Sequence, residues 1–311
     1  MINILGKRYY FFALSLLIIL PGLILLASMA AAGKLPLAID FTGGSLLEVR
    51  FATAAPTEVD IINLYKKLGV EDVKVQTTNK GSYVIRSTVL EDSTRAKVAD
   101  ELSKELNSEV TVLRFESVGP TIGREVTSRA AQAVAVAAII VTAYMTFAFR
   151  GVPHAIRYGI CAIIAMVHDV CVVLSLTAIG STLWGWQIDS LFLTALLTVI
   201  GFSVQDKVVV FDRIRENTGI YRRLSFENLV NHSIVQTLGR SLNTQLMTVE
   251  FMLLALALFG GVTLREFATI LLVGLFSGTY SSIFIAAPIL VVWESREWTR
   301  WFRPRENSAS A

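Results

Sequence analysis

The sequence predicts an α-helical membrane protein with six transmembrane helices and an extracytoplasmic α+β ferredoxin-like domain between the first and second. Three observations carry this. The chain has 311 residues, 53% hydrophobic and 17% charged, with mean hydropathy +0.58; soluble domains carry about a quarter charged residues. Six apolar segments, about 10–32, 130–149, 157–180, 190–212, 240–261 and 267–292, each match the roughly 20 helical residues that cross a hydrocarbon core of about 30 Å. One long segment between the first two, 38–125, is patterned instead as short strands and amphipathic helices.

The first segment follows Lys7 and Arg8 and ends near "SMAAAG", an arrangement shared with signal peptides. Its apolar stretch from Tyr9 to Ala32 exceeds the about 7–15 residues of a signal core. The expectation for residues 1–37 is therefore a retained transmembrane helix.

In 38–125, "SLLEVRF" alternates as a strand, and "PTEVDIINLYKKLG" opens on Pro56 and closes on Gly69 as helices do. "DVKVQTT" and "SYVIRST" read as strands around the turn Asn79-Lys80-Gly81. "EDSTRAKVADELSKEL" reads as an amphipathic helix and "EVTVLRFESV" as a strand. The order β-α-β-β-α-β is that of a split βαβ domain. Nothing in it suggests an active site, so it reads as a binding or spacer domain.

Residues 126–295 form the expected five-helix membrane bundle, and 296–311 a basic tail. Orientation follows from Lys and Arg near the helix ends. Lys7, Arg8, Arg150, Arg157, Arg213, Arg215, Arg222, Arg223, Arg296, Arg300, Arg303 and Arg305 fall on one side, whereas the short loops 181–189 and 260–266 carry only Arg265. Both termini are then cytoplasmic and 38–125 lies outside. Trp184 and Trp186 at one interface, and Trp293, Trp298 and Trp301 at the other, suit an aromatic belt.

Several functions are excluded. A net charge of +3 without a basic block argues against nucleic acid. Cys161 and Cys171, about 15 Å apart on one helix, cannot bridge and read as buried packing thiols. His154, His168 and His232 show no metal-ligand spacing, and no cofactor or metal is expected.

The residues that bear on function are charges inside apolar runs. In "LTVIGFSVQDKVVVFDRIREN" the fourth span carries Asp206 and Lys207. The third carries His168 and Asp169, and the fifth opens with Arg240 and carries Glu250. An ionised Asp at a helix centre costs about 2.5–3.5 kcal/mol on insertion scales. It therefore implies a partner, a proton or a function. Buried pairs are a poor source of net stability, which favours a protonatable relay over a structural clasp. An Arg near the carboxylate would favour its charged form, and moving that Arg away would favour the neutral one.

Arg240, Thr244, Met247 and Thr248 are expected on one face, and Phe202, Ser203, Asp206 and Val210 on another. Lys207 either snorkels to the cytoplasmic headgroups or pairs with Asp169 or Glu250; Glu250 is the weaker relay candidate. "DRIREN" reads as an interfacial cluster with Asp212 and Arg215 one turn apart. Gly274 and Gly278, with Ser277 and Ser281 beside them, read as a close-packing face. Gly43-Gly44 reads as a turn.

Together, "AIDFTGGSLLEV", "ESVGPTIGRE", "VHDV", "GFSVQDKVVVFDRIREN", "TLGRSLNT" and "GTYSSIFIAAPIL", in order over almost the whole chain, resemble the SecF members of the SecD/SecF family. The resemblance implies half of an RND-type assembly, without enzymatic activity. It implies SecD, the SecYEG channel, a translocating preprotein and the lipid bilayer as partners. It also implies use of proton or sodium motive force to promote protein export across the cytoplasmic (inner) membrane. By motif position, Asp206 matches the family's intramembrane aspartate, Arg240 its fifth-helix arginine, and His168-Asp169 its third-helix His-Asp. Gln205 and Lys207 stand where the family usually has Asn and Thr.

Three rivals bear on the same residues. An RND-type small-molecule exporter would need a second half subunit. An intramembrane aspartyl protease would use Asp169 and Asp206 as a dyad, but a lysine that holds one carboxylate ionised opposes a shared proton. An assembly subunit without a relay would not need Asp206 to titrate.

Overall fold

A computed structural model describes residues 3–52, 56–70, 72–77, 81–90, 92–105, 108–150, 155–245 and 251–296. The chain divides into two compact units, Pro36–Ala133 with Gln187–Ser190, and Met1–Leu35 with Val134–Trp186 and Leu191–Ala311.

The first unit holds a short helix α2 (Ile39–Thr42), then β1 (Gly44–Phe51), α3 (Glu58–Lys67), β2 (Lys74–Thr77), β3 (Ser82–Ser87), α4 (Asp92–Glu105) and β4 (Val110–Val118). The sheet order is β2-β3-β1-β4, every pairing antiparallel. The order β-α-β-β-α-β matches the sequence expectation. Leu47 and Val49 of β1, Ile85 of β3, Ile61 and Tyr65 of α3, and Val98 and Leu102 of α4 form one buried cluster. Each such aliphatic side chain contributes roughly 1.5–3 kcal/mol when fully buried.

Helix α3 begins two residues after Pro56 because Thr57 caps it: its hydroxyl accepts from the Asp60 N–H, and Asp60 accepts from the Thr57 N–H at 3.0 Å. Asn79 and Lys80 of the expected hairpin turn lie outside the described residues.

The Gly43-Gly44 turn has a stronger reason than a reversal of direction. Both residues take positive φ, 73° and 127°, which glycine adopts without a Cβ penalty. A Cβ on Gly43 would also stand 2.9 Å from Pro120 Cα, and one on Gly123 would stand 2.8 Å from the Gly43 N. The two motifs are therefore joined backbone to backbone. Residues 187–190 belong to this unit because the Ile188 N–H donates to Pro36 O at 2.7 Å, and Asp40 accepts from the Ser190 N–H at 2.9 Å.

The second unit is helical. Helix α1 (Arg8–Ala31) follows a 3₁₀ turn; α5 (Pro120–Ala148) enters this unit at Val134. Then come α6 (Ala155–Trp184), α7 (Ser190–Ile220), α8 (Phe226–Gln245), α9 (Phe251–Phe259), α10 (Val262–Ser281), a π turn (Ser282–Ala286) and α11 (Ala287–Glu294).

Among the described residues, five helical stretches are long and apolar enough to cross a membrane: Leu5–Ala31, Pro120–Ala148, Ile156–Trp184, Ser190–Ile220 and Leu264–Glu294. The remaining expected span, 240–261, runs through residues 246–250, which lie outside the described residues, with α8 and α9 on either side. Met247, Thr248, Glu250, His154, Trp298 and Trp301 lie outside them too.

Helix α6 packs against α1, α10 and α11. Gly274 permits the approach of α10: a Cβ there would lie 2.3 Å from Val199 Cγ2 of α7 and 3.1 Å from Val173 Cγ2 of α6. The close-packing expectation therefore holds at this residue. Cys161 is buried, but Cys171 is only half-buried, which corrects the expectation that both thiols are enclosed. Asp212 and Arg215 pair at 2.6 Å, one turn apart on an exposed face.

Candidate ion-relay site

Among the described residues, two carboxylates, Asp169 and Asp206, stand within the apolar helices. Asp169 on α6 is 1% exposed and Lys207 on α7 is 0% exposed, with Lys207 Nζ 2.8 Å from Asp169 Oδ2. The same Oδ2 accepts from the hydroxyls of Ser203 at 2.6 Å and Ser281 at 2.7 Å. Oδ1 accepts from the Ser277 hydroxyl at 2.7 Å and lies 3.1 Å from His168 Nδ1. A carboxylate offers about four lone-pair sites, so this one is saturated. Lys207 is equally satisfied: besides Asp169 it reaches the Ser203 carbonyl at 3.3 Å and the Ser203 hydroxyl.

This arrangement selects among the expectations for Lys207. Its burial rules out snorkelling here, and Asp169 is its partner. It also draws the Ser203 hydroxyl away from Asp206, although the two lie three residues apart on the helix. On a helix with 3.6 residues per turn, Ser203 lies about 60° from Asp206 but about 40° from Lys207, and its hydroxyl turns to the Lys207–Asp169 pair.

Asp206 is half-buried. Oδ1 accepts from the Ser241 hydroxyl of α8 at 2.8 Å, and Oδ2 from the Ser282 hydroxyl at 2.7 Å. Ser282 opens the π turn; such turns occur often at functional sites. Arg240 is exposed, and among the described residues no ion pair of Arg240 is found. The neighbouring residue, about 100° further round α8, faces the carboxylate instead. The structure thus brings Asp206 to two hydroxyls and does not bring Arg240 to Asp206.

His168 adds a second contact. Its ring lies 6.1 Å from that of Tyr280 at 25°, and its Nε2 is buried without a partner. Tyr280 donates to the Phe11 carbonyl of α1 at 2.9 Å.

Sequence reasoning missed Ser241 and Ser282, and took Ser277 and Ser281 as packing residues. A four-residue spacing was the available signal. Ser233, Thr237, Ser241 and Gln245 make one buried polar row along α8, and Ser277 and Ser281 repeat that spacing on α10. Small hydroxyls in an apolar helix are ambiguous, because they also bond their own helix carbonyls, as Thr237 does to Ser233 O at 3.1 Å.

The chemistry of the two sites differs. Asp169 is met by an ammonium as well as by hydroxyls, whereas Asp206 is met by two neutral hydroxyls and keeps acceptor sites for a further donor. The two carboxylates do not form a dyad in this structure: Asp169 bonds to Lys207, and among the described residues no hydrogen bond joins it to Asp206.

A multi-pass helix bundle with ionisable groups turned inward is the mark of membrane transport machinery. Residues 98–296 match the model "Protein export membrane protein SecD/SecF, C-terminal", and residues 31–55 match the SecD/SecF GG motif. The chain belongs to the SecD/SecF family.

It is 64% identical to the protein translocase subunit SecF of Anaerolinea thermophila, with 100% of both chains covered. To that of Thermobaculum terrenum it is 45% identical, again over 100% of both. The crystal structure of SecDF from Thermus thermophilus, a translocon-associated membrane protein, matches with a TM-score of 0.80 at 32% identity. That match covers 95% of this chain but only 39% of SecDF. A SecDF structure in a super-membrane-facing form matches at 0.66 and 32% identity, covering 96% of this chain and 40% of the other.

Proposed function

We propose that this protein is a SecF-type subunit of the preprotein translocase and supplies one half of an RND-type assembly. Its likeness to SecF subunits over the full length of both chains supports a role in protein export. The other half is SecD: in relatives named SecDF, the part like this chain is 39% of a longer chain. The SecYEG channel and the emerging preprotein are the remaining partners. The subunit resides in the cytoplasmic membrane with both termini inside and the sheet domain outside, and it carries no catalytic activity. Lys104 of α4 is well exposed. Lys104→Cys should react with a membrane-impermeant thiol reagent in intact cells; reaction only after lysis would reverse the orientation.

Asp206 is the exchangeable carboxylate of the relay, and proton or sodium motive force is the drive. One observation carries this: among the described residues, Asp206 is met by two hydroxyls and no cation, whereas Asp169 is met by the Lys207 ammonium. A unit charge crossing 100 mV releases about 2.3 kcal/mol, enough to bias a two-state equilibrium. Arg240 acts in the alternate state of the cycle, approaching Asp206 when the carboxylate must be empty. His168 and Asp169 tie α6 to α10 beside the exchange site.

The test is preprotein export in energised vesicles, with and without an uncoupler. Asp206→Asn should assemble with SecD yet lose the uncoupler-sensitive stimulation. Full retention of that stimulation would leave Asp206 a packing residue.

A further inference from the structure

Lys207 sits in a cage of oxygens. Its three N–H groups meet a carboxylate oxygen of Asp169, the Ser203 carbonyl and the Ser203 hydroxyl. The same carboxylate is braced from α10 by Ser277 and Ser281. Carboxylate, hydroxyl and backbone carbonyl are the donor types chosen by hard cations. Among the described residues, Asp169 supplies the one formal negative charge at the cage, and no group of three or more His, Cys, Asp or Glu could hold a metal ion. A single charge with neutral oxygens suits a monovalent cation rather than a divalent one.

We propose that the Lys207 ammonium is a tethered monovalent cation: it permanently fills an oxygen site that would otherwise take a free sodium ion. In water an ammonium and a sodium ion compete on concentration. Here one competitor is covalently attached and fully enclosed, so the mobile one is displaced at any physiological concentration. The consequence is that the Asp169 site is insulated from the ionic medium, and cation exchange is confined to Asp206. The inference does not depend on the export reading, because its test reads stability.

The full-length protein is purified in nanodiscs, and its unfolding midpoint is followed as sodium chloride replaces N-methylglucamine chloride at constant ionic strength. Lys207→Ala empties the cage while keeping its oxygens. It should be destabilised in N-methylglucamine and recover saturably with sodium, by on the order of 5 °C when sodium reaches a hundredfold excess over its dissociation constant. Lys207→Met fills the space with an apolar chain and should show no sodium response, as should the unsubstituted protein. A recovery equal in Lys207→Ala and Lys207→Met, or an equal response of the unsubstituted protein, would overturn the proposal. If Lys207→Ala fails to fold, Asp169→Asn/Lys207→Ala decides. Folding of the double variant, with none of the single variant up to molar sodium, shows that the vacated cage takes no cation.

Discussion

Asp169 and Asp206 lie on neighbouring helices of one bundle, and both interrupt apolar runs, yet their surroundings are opposites. Asp169 is enclosed, receives three serine hydroxyls, and faces a buried ammonium and a histidine. Asp206 is half-buried and receives two hydroxyls, from Ser241 and Ser282. Asp169 has spent its acceptor capacity on fixed donors from α7 and α10, so altering it disturbs the packing of three helices. Asp206 keeps spare acceptor capacity, which suits the exchange role proposed for it.

The sharpest way to break this contrast is to neutralise each carboxylate and compare stability. Asp169→Asn leaves Lys207 buried without a counter-charge and should cost about 3–5 kcal/mol. It should appear as a marked fall in the amount of folded protein recovered from membranes. Asp169→Asn/Lys207→Met, which removes both charges, should regain most of that loss. Equal stability of Asp169→Asn and the unsubstituted protein would mean that the pair bears no structural weight.

Asp206→Asn is expected to be much milder, within about 1 kcal/mol, because an amide oxygen still accepts from a hydroxyl and no ion is stranded. A thermal unfolding series that ranks Asp206→Asn as the more damaging substitution would reverse the assignment of roles.

The smallest effect concerns a third carboxylate, in water. Asp60, at the first turn of α3, lies below the usual carboxylate range, first because the Thr57 side chain and then because the Thr57 backbone N–H donates to its charged form. A depressed folded value means that its contribution is complete above the unfolded pKa and disappears as pH falls through the folded one. Hydrogen exchange at the first amides of α3 should therefore stay slow until the pH drops below the ordinary Asp range. It should lose that dependence in Thr57→Val. A response centred near neutral pH would show that another group caps the helix.

Much of the architecture was legible because it depends on period and composition. The alternation in "SLLEVRF" and the Pro-to-Gly bounds of α3 survive in the structure as β1 and α3. So does the bulk of the apolar spans, since hydrocarbon thickness sets their length. Boundaries were less legible: α5 begins at Pro120 and α7 continues to Ile220, because a helix does not end where its sequence stops being apolar.

Which charged residues need a partner could be read from the sequence by itself, for the cost of an ion in lipid is a property of the residue and its run. It set out Asp169, Asp206, Lys207, His168 and Arg240 as the residues to explain. Which of them meet was decided only by tertiary packing. Asp206 and Lys207 are adjacent in the chain, yet a rotation of about 100° sends one toward α8 and the π turn and the other toward α6. Arg240 and Ser241 part in the same way, so a hydroxyl faces the carboxylate and the guanidinium does not. Neither outcome is contained in a local pattern. Each depends on which neighbour a helix face finds, and small residues such as Gly274, where no side chain holds the helices apart, set how close that neighbour comes.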